Sequence, residues 1–204
     1  MKVVLLCSGG FDSVVLANYV RNALGTNDEI ETLFFDYGQK SCKMERECAY
    51  KVSKKINAKF NEITLPKFRW TRSAFYAPDF SGSDGEYLEM RNLVFISYAL
   101  SLCESIGAIK LYFATLKSFG YYDTSTLFLE KIGSIANDKG IEIVTPFSEK
   151  DKYGLMGLAL HFNIERCDFF SCDNPVGESP CGKCPDCEVL NDIMLEISGE
   201  INDE

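Results

Sequence analysis

Residues 3–7, Val-Val-Leu-Leu-Cys, form a short unbroken apolar run, the pattern of a central parallel strand buried on both faces. Ser8, Gly9 and Gly10 interrupt it at once. Asp12 and Ser13 follow as N-cap residues, ahead of apolar residues that return at helical spacing over 13–24. Strand, tight glycine turn and helix are predicted in succession. The same reading gives a second strand over 31–36, a polar helix over about 41–57, and a third strand over 60–65 closed by Pro66. A strongly apolar helix follows over 92–106, hydrophobic on most sides and therefore expected to be well buried. A fourth strand is predicted over 109–114, a helix over about 124–138, and a fifth strand over 141–144. A helix over 150–161, a cysteine-rich segment over 167–187 and a helix to about 197 complete the chain. Residues 66–89, with Trp70, Arg72, two prolines and Ser-Gly-Ser-Asp-Gly at 81–85, lack periodicity and read as a loop. It is either a lid over the site or a surface insertion.

Strands and helices alternate with short connections, so the expected fold is α/β: a Rossmann-like parallel five-stranded sheet with helices on both faces. Residues 1–165 form this domain in that reading, and 166–204 a cysteine-rich appendage with the closing helix packed on it. Ligands in such sheets sit at the carboxyl ends of the strands, so the loops after strands one, two and four are the places to look.

The first of those loops carries the clearest chemistry. Glycines let the backbone approach an anion with no Cβ in the way. Free N–H groups and roughly half a positive charge collect where the helix begins. Ser8 and Ser13 add hydroxyls. A bare Gly-Gly turn would be an ordinary connection, but Ser8-Gly9-Gly10-Phe11-Asp12-Ser13 directly after a buried strand reads as a phosphate loop. Asp36 closes the second strand, where an acid commonly contacts a nucleotide ribose; a solvated turn residue is the plainer alternative. Arg91 and Lys152 each open a helix and can reach phosphates; taken alone, a surface charge is the plainer reading of each. His161, the single histidine, reads as packing or capping, and no Ser–His or Cys–His pairing points to an acyl-enzyme.

Cys172, Cys181, Cys184 and Cys187 are spaced C-x8-C-x2-C-x2-C, with Pro180, Gly182 and Pro185 favouring knuckle turns. Four thiolates suit a closed tetrahedral zinc site, structural because no coordination position is left for water. An iron–sulfur cluster is the rival. Residues 177–183 imitate the start of a Walker A loop, but Cys184 stands where Ser or Thr should hold magnesium, and no strand enters it. The other five of the nine cysteines are scattered and read as small buried hydrophobes or surface thiols.

Composition narrows the class. The chain of 204 residues has a formal charge of −9; four thiolates adding −4 and a zinc ion adding +2 would take it to −11. A surface this acidic disfavours nucleic acid as partner. Mean hydropathy is −0.07, and no apolar run approaches the roughly 18 residues of a membrane span. No signal-peptide layout is present. A cytoplasmic protein without a membrane partner is expected.

The 8–13 loop resembles the pyrophosphate loop of the N-type ATP pyrophosphatases, whose fold is the adenine nucleotide alpha hydrolase-like sheet. Further segments resemble the 7-cyano-7-deazaguanine synthases of queuosine biosynthesis nearly end to end. These are Phe35-Asp36-Tyr37-Gly38-Gln39, Arg91-Asn92-Leu93-Val94-Phe95, Thr145-Pro146-Phe147 with Lys152, and Ser171-Cys172 through Cys187. The resemblance implies an ATP-dependent carbon–nitrogen ligase. ATP, as substrate, adenylates 7-carboxy-7-deazaguanine; ammonia converts the adenylate to an amide; a second ATP dehydrates it to the nitrile. AMP and pyrophosphate leave, with magnesium bridging the phosphates. Asp12, Ser13, Arg91 and Lys152 are then the expected catalytic residues. Ser8, Gly9, Gly10, Phe11, Asp12, Ser13 and Asp36 bind the nucleotide, and the four cysteines hold one structural zinc. One segment departs from the family. Where a run like Thr-Asp-x-Ser-Gly-Tyr-Pro-Asp-Cys is usual, residues 115–125 read Thr-Leu-Lys-Ser-Phe-Gly-Tyr-Tyr-Asp-Thr-Ser. Tyr121 and Tyr122 offer flat faces to a heterocycle and Asp123 stands in for the acid, whereas packing of both tyrosines is the plainer reading.

Three other readings follow from the same residues. The first keeps the adenylate and joins the deazaguanine to an amine of a protein or other acceptor, as in phage modification or antiviral systems. The second is a tRNA thiolase, which needs a persulfide cysteine and a basic RNA surface. The third is a binding module without catalysis, which an intact 8–13 loop disfavours. A small molecule and ammonia are the expected partners, and a homodimer is left open.

Overall fold

The structure, a computed structural model, describes residues 1–67, 88, 90–116 and 121–198. Five strands form one sheet in the order β3-β2-β1-β4-β5: β1 (Lys2–Leu6), β2 (Glu29–Asp36), β3 (Lys59–Thr64), β4 (Lys110–Tyr112) and β5 (Glu142–Val144). All four pairings are parallel, with Val4 opposite Glu31 on one side and Leu111 on the other. The order reverses between β1 and β4, so the loop leaving β1 lies at the switch point, where open α/β sheets bind ligands.

β1 is central because it is apolar throughout. Val3, Leu5 and Cys7 face one side, packed on α1 (Phe11–Ala23), α2 (Cys42–Lys55), α5 (Met156–His161) and α6 (Pro185–Ser198). Val4 and Leu6 face the other, packed on α3 (Arg91–Ile106) and α4 (Thr126–Asn137). This alternation on two covered faces is what a continuous apolar strand requires. Burying a Leu such as Leu5, fully enclosed here, is worth about 1.5–3 kcal/mol.

Several expectations are corrected. Helix α1 starts at Phe11 with Gly10 as N-cap and no side-chain cap bond, so Asp12 and Ser13 lie in its first turn rather than capping it. The fourth strand is shorter than the apolar run, because β4 pairs only over 110–112. A 3-10 turn, Tyr122–Thr124, precedes α4, and Ser125 separates the two by accepting from the Phe128 amide at 3.2 Å. Helix α5 likewise follows a 3-10 turn at Tyr153–Leu155. Helix α3 is buried on one side, at Asn92, Ile96, Ala99 and Cys103, while Ser97 and Tyr98 are exposed. The lid or insertion expected over 66–89 lies outside the described residues except at 66, 67 and 88.

No helix among the described residues is long and apolar enough to cross a membrane.

Candidate nucleotide site and metal centre

Gly9 has φ +79°, and a Cβ there would stand 2.0 Å from the Glu45 carbonyl oxygen and 3.0 Å from the Ala49 amide. The loop thus lies directly on the backbone of α2, and only glycine allows it. Gly10 is extended and brings no side chain over the first amides of α1. Ser8 Oγ accepts from the Gly10 amide at 3.3 Å and donates to Ser13 Oγ at 3.2 Å; Ser13 Oγ donates to the Gly10 carbonyl at 2.9 Å. Phe11 is buried edge-on against Phe169, centroids 5.1 Å apart. Its ring is an anchor, and its backbone is what the loop presents.

Asp12 is half-buried, and its Oδ1 is buried with no hydrogen-bond partner among the described residues. Burial raises its carboxyl to about 6, Lys152 opposing and Asp186 adding to the rise. Burial likewise disfavours the Lys152 ammonium, but the carboxylates of Asp12 and Asp186 outweigh it and the net shift is upward. Lys152 makes an ion pair with Asp186 in the first turn of α6. A cation is thus held between two carboxylates beside the helix start. An orphaned carboxylate oxygen at an anion loop fits a hard divalent cation, which takes oxygen ligands.

Asp36, at the carboxyl end of β2, is engaged on both oxygens: Oδ1 accepts from the Gly38 amide at 3.0 Å and Oδ2 from Arg46 at 2.7 Å. Arg91 opens α3, donates to Tyr37 Oη at 3.4 Å and lies over the Tyr37 and Phe95 rings at 6.0 and 5.8 Å. Asp123 is buried; its Oδ2 accepts from the Asn92 amide at 3.0 Å and its carbonyl from Asn92 Nδ2 at 3.2 Å. It caps α3 from 31 residues away, which joins 121–123 to the Arg91 end of the sheet. Tyr121 is half-buried; Tyr122 is exposed and edge-on to Phe128. Residues 117–120 of this segment lie outside the described residues.

The four expected cysteines do come together. Their sulfurs all lie within 4.8 Å of one another, Cys172 and Cys187 buried, Cys181 and Cys184 half-buried. A tetrahedral ion with bonds of about 2.3 Å holds its sulfurs roughly 3.8 Å apart, so a modest contraction closes the site. Gly182, at φ +72°, makes the knuckle, and the Cys181 amide donates to Cys172 Sγ at 3.2 Å. The cluster packs on Met44, Cys48 and Phe170. All four groups are thiols, a donor set that fits a soft or borderline metal.

Three residues of this site escaped the sequence reading. Glu45 accepts from Gln39 Nε2 at 2.9 Å and Ser41 Oγ at 2.7 Å, and Arg91 acts on it electrostatically. Asp186 and Ser171 stand just before Cys187 and Cys172, the last and first cysteines of the cluster, and adjacency to those expected ligands was their only sequence signal. Ser171 Oγ accepts from the Phe11 amide at 2.8 Å, and the Phe170 amide donates to the Gly9 carbonyl at 2.9 Å. The cysteine segment is thereby stitched to the phosphate loop.

A profile of the family described as queuosine biosynthesis protein QueC matches residues 2–196. A 7-cyano-7-deazaguanine synthase of Methanospirillum hungatei is 31% identical, over 90% of this chain and 91% of that one. One from Marinomonas sp. is 32% identical, over 91% and 90%. Among solved structures, a U34-tRNA thiolase NcsA from Methanococcus maripaludis, with its 4Fe-4S cluster, superposes with TM-score 0.59 at 12% identity, over 98% of this chain and 67% of that one. A 4-thiouridine synthetase bound to RNA and ATP gives 0.54 at 21% identity, over 97% and 50%. At those identities the likeness is one of fold.

Proposed function

The chain belongs to the family of the queuosine biosynthesis protein QueC, and on that premise we propose that it is an ATP-dependent synthase converting 7-carboxy-7-deazaguanine to 7-cyano-7-deazaguanine. The observation that carries this reading is the unpartnered Asp12 Oδ1, buried at the start of α1 beside Lys152.

In this reading ATP lies across the carboxyl ends of β1 and β2, with its β- and γ-phosphates on the 8–13 loop. The amides of α1 and the Ser8 and Ser13 hydroxyls face the pyrophosphate. Asp12 would hold magnesium, which supplies charge neutralisation when bound. Lys152 and Arg91 offset the charge that develops on the phosphates, and Asp36 lies toward the ribose. A substrate carboxylate oxygen attacks the α-phosphorus, and the bond to the bridging oxygen breaks with release of pyrophosphate. Ammonia then attacks the acyl carbon, loses a proton and expels AMP, leaving the amide. The amide oxygen attacks a second ATP in the same way; loss of two N–H protons expels AMP and forms the nitrile. The 121–123 segment flanks the base, Tyr121 and Tyr122 offering rings and Asp123 an acceptor. The cysteine centre holds one zinc, a structural ion that fixes the 170–187 segment against α2.

The departure from the family over 115–125 favours one second reading, in which the adenylate passes to an amine of another acceptor. Mass spectrometry of a reaction with ATP, 7-carboxy-7-deazaguanine and ammonium separates the two. The nitrile is expected; consumption of ATP without amide or nitrile, rescued by an added amine acceptor, supports the second.

A further inference from the structure

We propose that Ser171, from the cysteine segment, is a phosphate-binding hydroxyl of the nucleotide site. The inference rests on the pyrophosphate-loop reading and adds to it a residue 160 positions from the loop.

Three hydroxyls meet at the loop. Ser8 gives its hydrogen to Ser13, and Ser13 gives its own to the Gly10 carbonyl. Without a ligand, both serines of the loop motif donate within it, and each would have to turn its hydrogen to meet a phosphate. Ser171 differs. Its Oγ accepts from the Phe11 amide at 2.8 Å, and its hydrogen has no acceptor among the described residues. A hydroxyl has one donor and two lone pairs, so this one is left with a donor to give. Accepting from an amide also polarises the O–H and strengthens that donation.

The hydroxyl is placed where an anion would come. Ser171 Oγ lies 3.1 Å, and Ser8 Oγ 3.3 Å, from where a Cβ on Gly10 would stand. The missing side chain of Gly10 leaves a cradle bounded by the two hydroxyls. Ser171 is held by its neighbours: the Phe170 amide donates to the Gly9 carbonyl at 2.9 Å, and Cys172 is buried in the metal centre. A group fixed before the ligand arrives loses little freedom on binding. The cysteine segment thus contributes a donor to the site as well as stability to the fold.

The test uses the full-length, metal-loaded protein, with magnesium pyrophosphate and AMP as calorimetric probes. Ser171→Ala is expected to bind pyrophosphate about tenfold more weakly, the loss of one hydrogen bond to a charged group. AMP affinity and metal content should be unchanged, and Ser171→Thr, which keeps the hydroxyl, should stay within about threefold of wild type. If Ser171 only capped the Phe11 amide in competition with the ligand, Ser171→Ala would bind pyrophosphate equally or more tightly, and that result overturns the proposal. Equal loss of pyrophosphate, AMP and metal overturns it too, as a collapse of the segment. Should Ser171→Ala not fold, Ser171→Gly is read by the same criteria. Wild-type protein that binds no pyrophosphate sinks both the inference and the functional reading. Protein that binds it through Ser171 but forms no AMP sinks the functional reading alone.

Discussion

Asp12 is a carboxylate that the fold makes costly to charge. Burial lifts it from the ordinary 3.8 to about 6, so the folded chain holds the proton more tightly than the unfolded chain. The resulting stabilisation is complete below about pH 3.8 and is lost as pH rises through about 6. In nucleotide-free protein, Asp12→Asn should therefore raise Tm at pH 7.5, with the gain gone by pH 4; a variant less stable than wild type at pH 7.5 contradicts this. Asp12→Ala should abolish turnover with the fold retained, and near-normal activity would show that the phosphates and magnesium lie elsewhere. Such strain is ordinary at a functional site. Asp12 was legible because a six-residue motif announces it. Ser171, Asp186 and Glu45 were not, because each joins the site through a contact that only the folded chain makes: Ser171 with Phe11, Asp186 with Lys152, and Glu45 with Gln39 and Ser41.

At the scale of elements, the central strand was read from its unbroken apolar run over 3–7, and the order of the strands was left to the structure. What failed was finer. The apolar count of 92–106 does not say which face of α3 meets the sheet, and the structure exposes Ser97 and Tyr98. Helix starts at 124 and 150 were misjudged because 3-10 turns carry the same residue types as the α-helices they precede. The contact that aligns α1 and α2 was also invisible: Gly9 against the Glu45 carbonyl, where a Cβ would stand at 2.0 Å. Gly9→Ala should cost about 1–3 kcal/mol, from the left-handed φ and the clash together, and it should push the loop off α2. Denaturant unfolding and ATP calorimetry check both parts; unchanged ATP binding would mean that the loop does not need α2 as its floor.

For the whole molecule, the four-cysteine cluster and the 8–13 loop are one construction. Asp186, between two cysteine ligands, pairs with Lys152, and Ser171, before another, meets Phe11. A structural zinc site can supply about 10 kcal/mol or more of folding free energy. Cys184→Ser should therefore lose the metal, most of the soluble protein and nucleotide binding together. Elemental analysis should find one zinc per chain; iron, or an active metal-free protein, contradicts the assignment. The 8–13 loop is expected to direct cleavage between the α- and β-phosphates, driven by a deazaguanine carboxylate. Chromatography of the spent nucleotide tests it most directly: with 7-carboxy-7-deazaguanine and ammonium present, ATP should yield AMP and pyrophosphate, and neither without the carboxylate. ADP and inorganic phosphate as the main products would contradict the account.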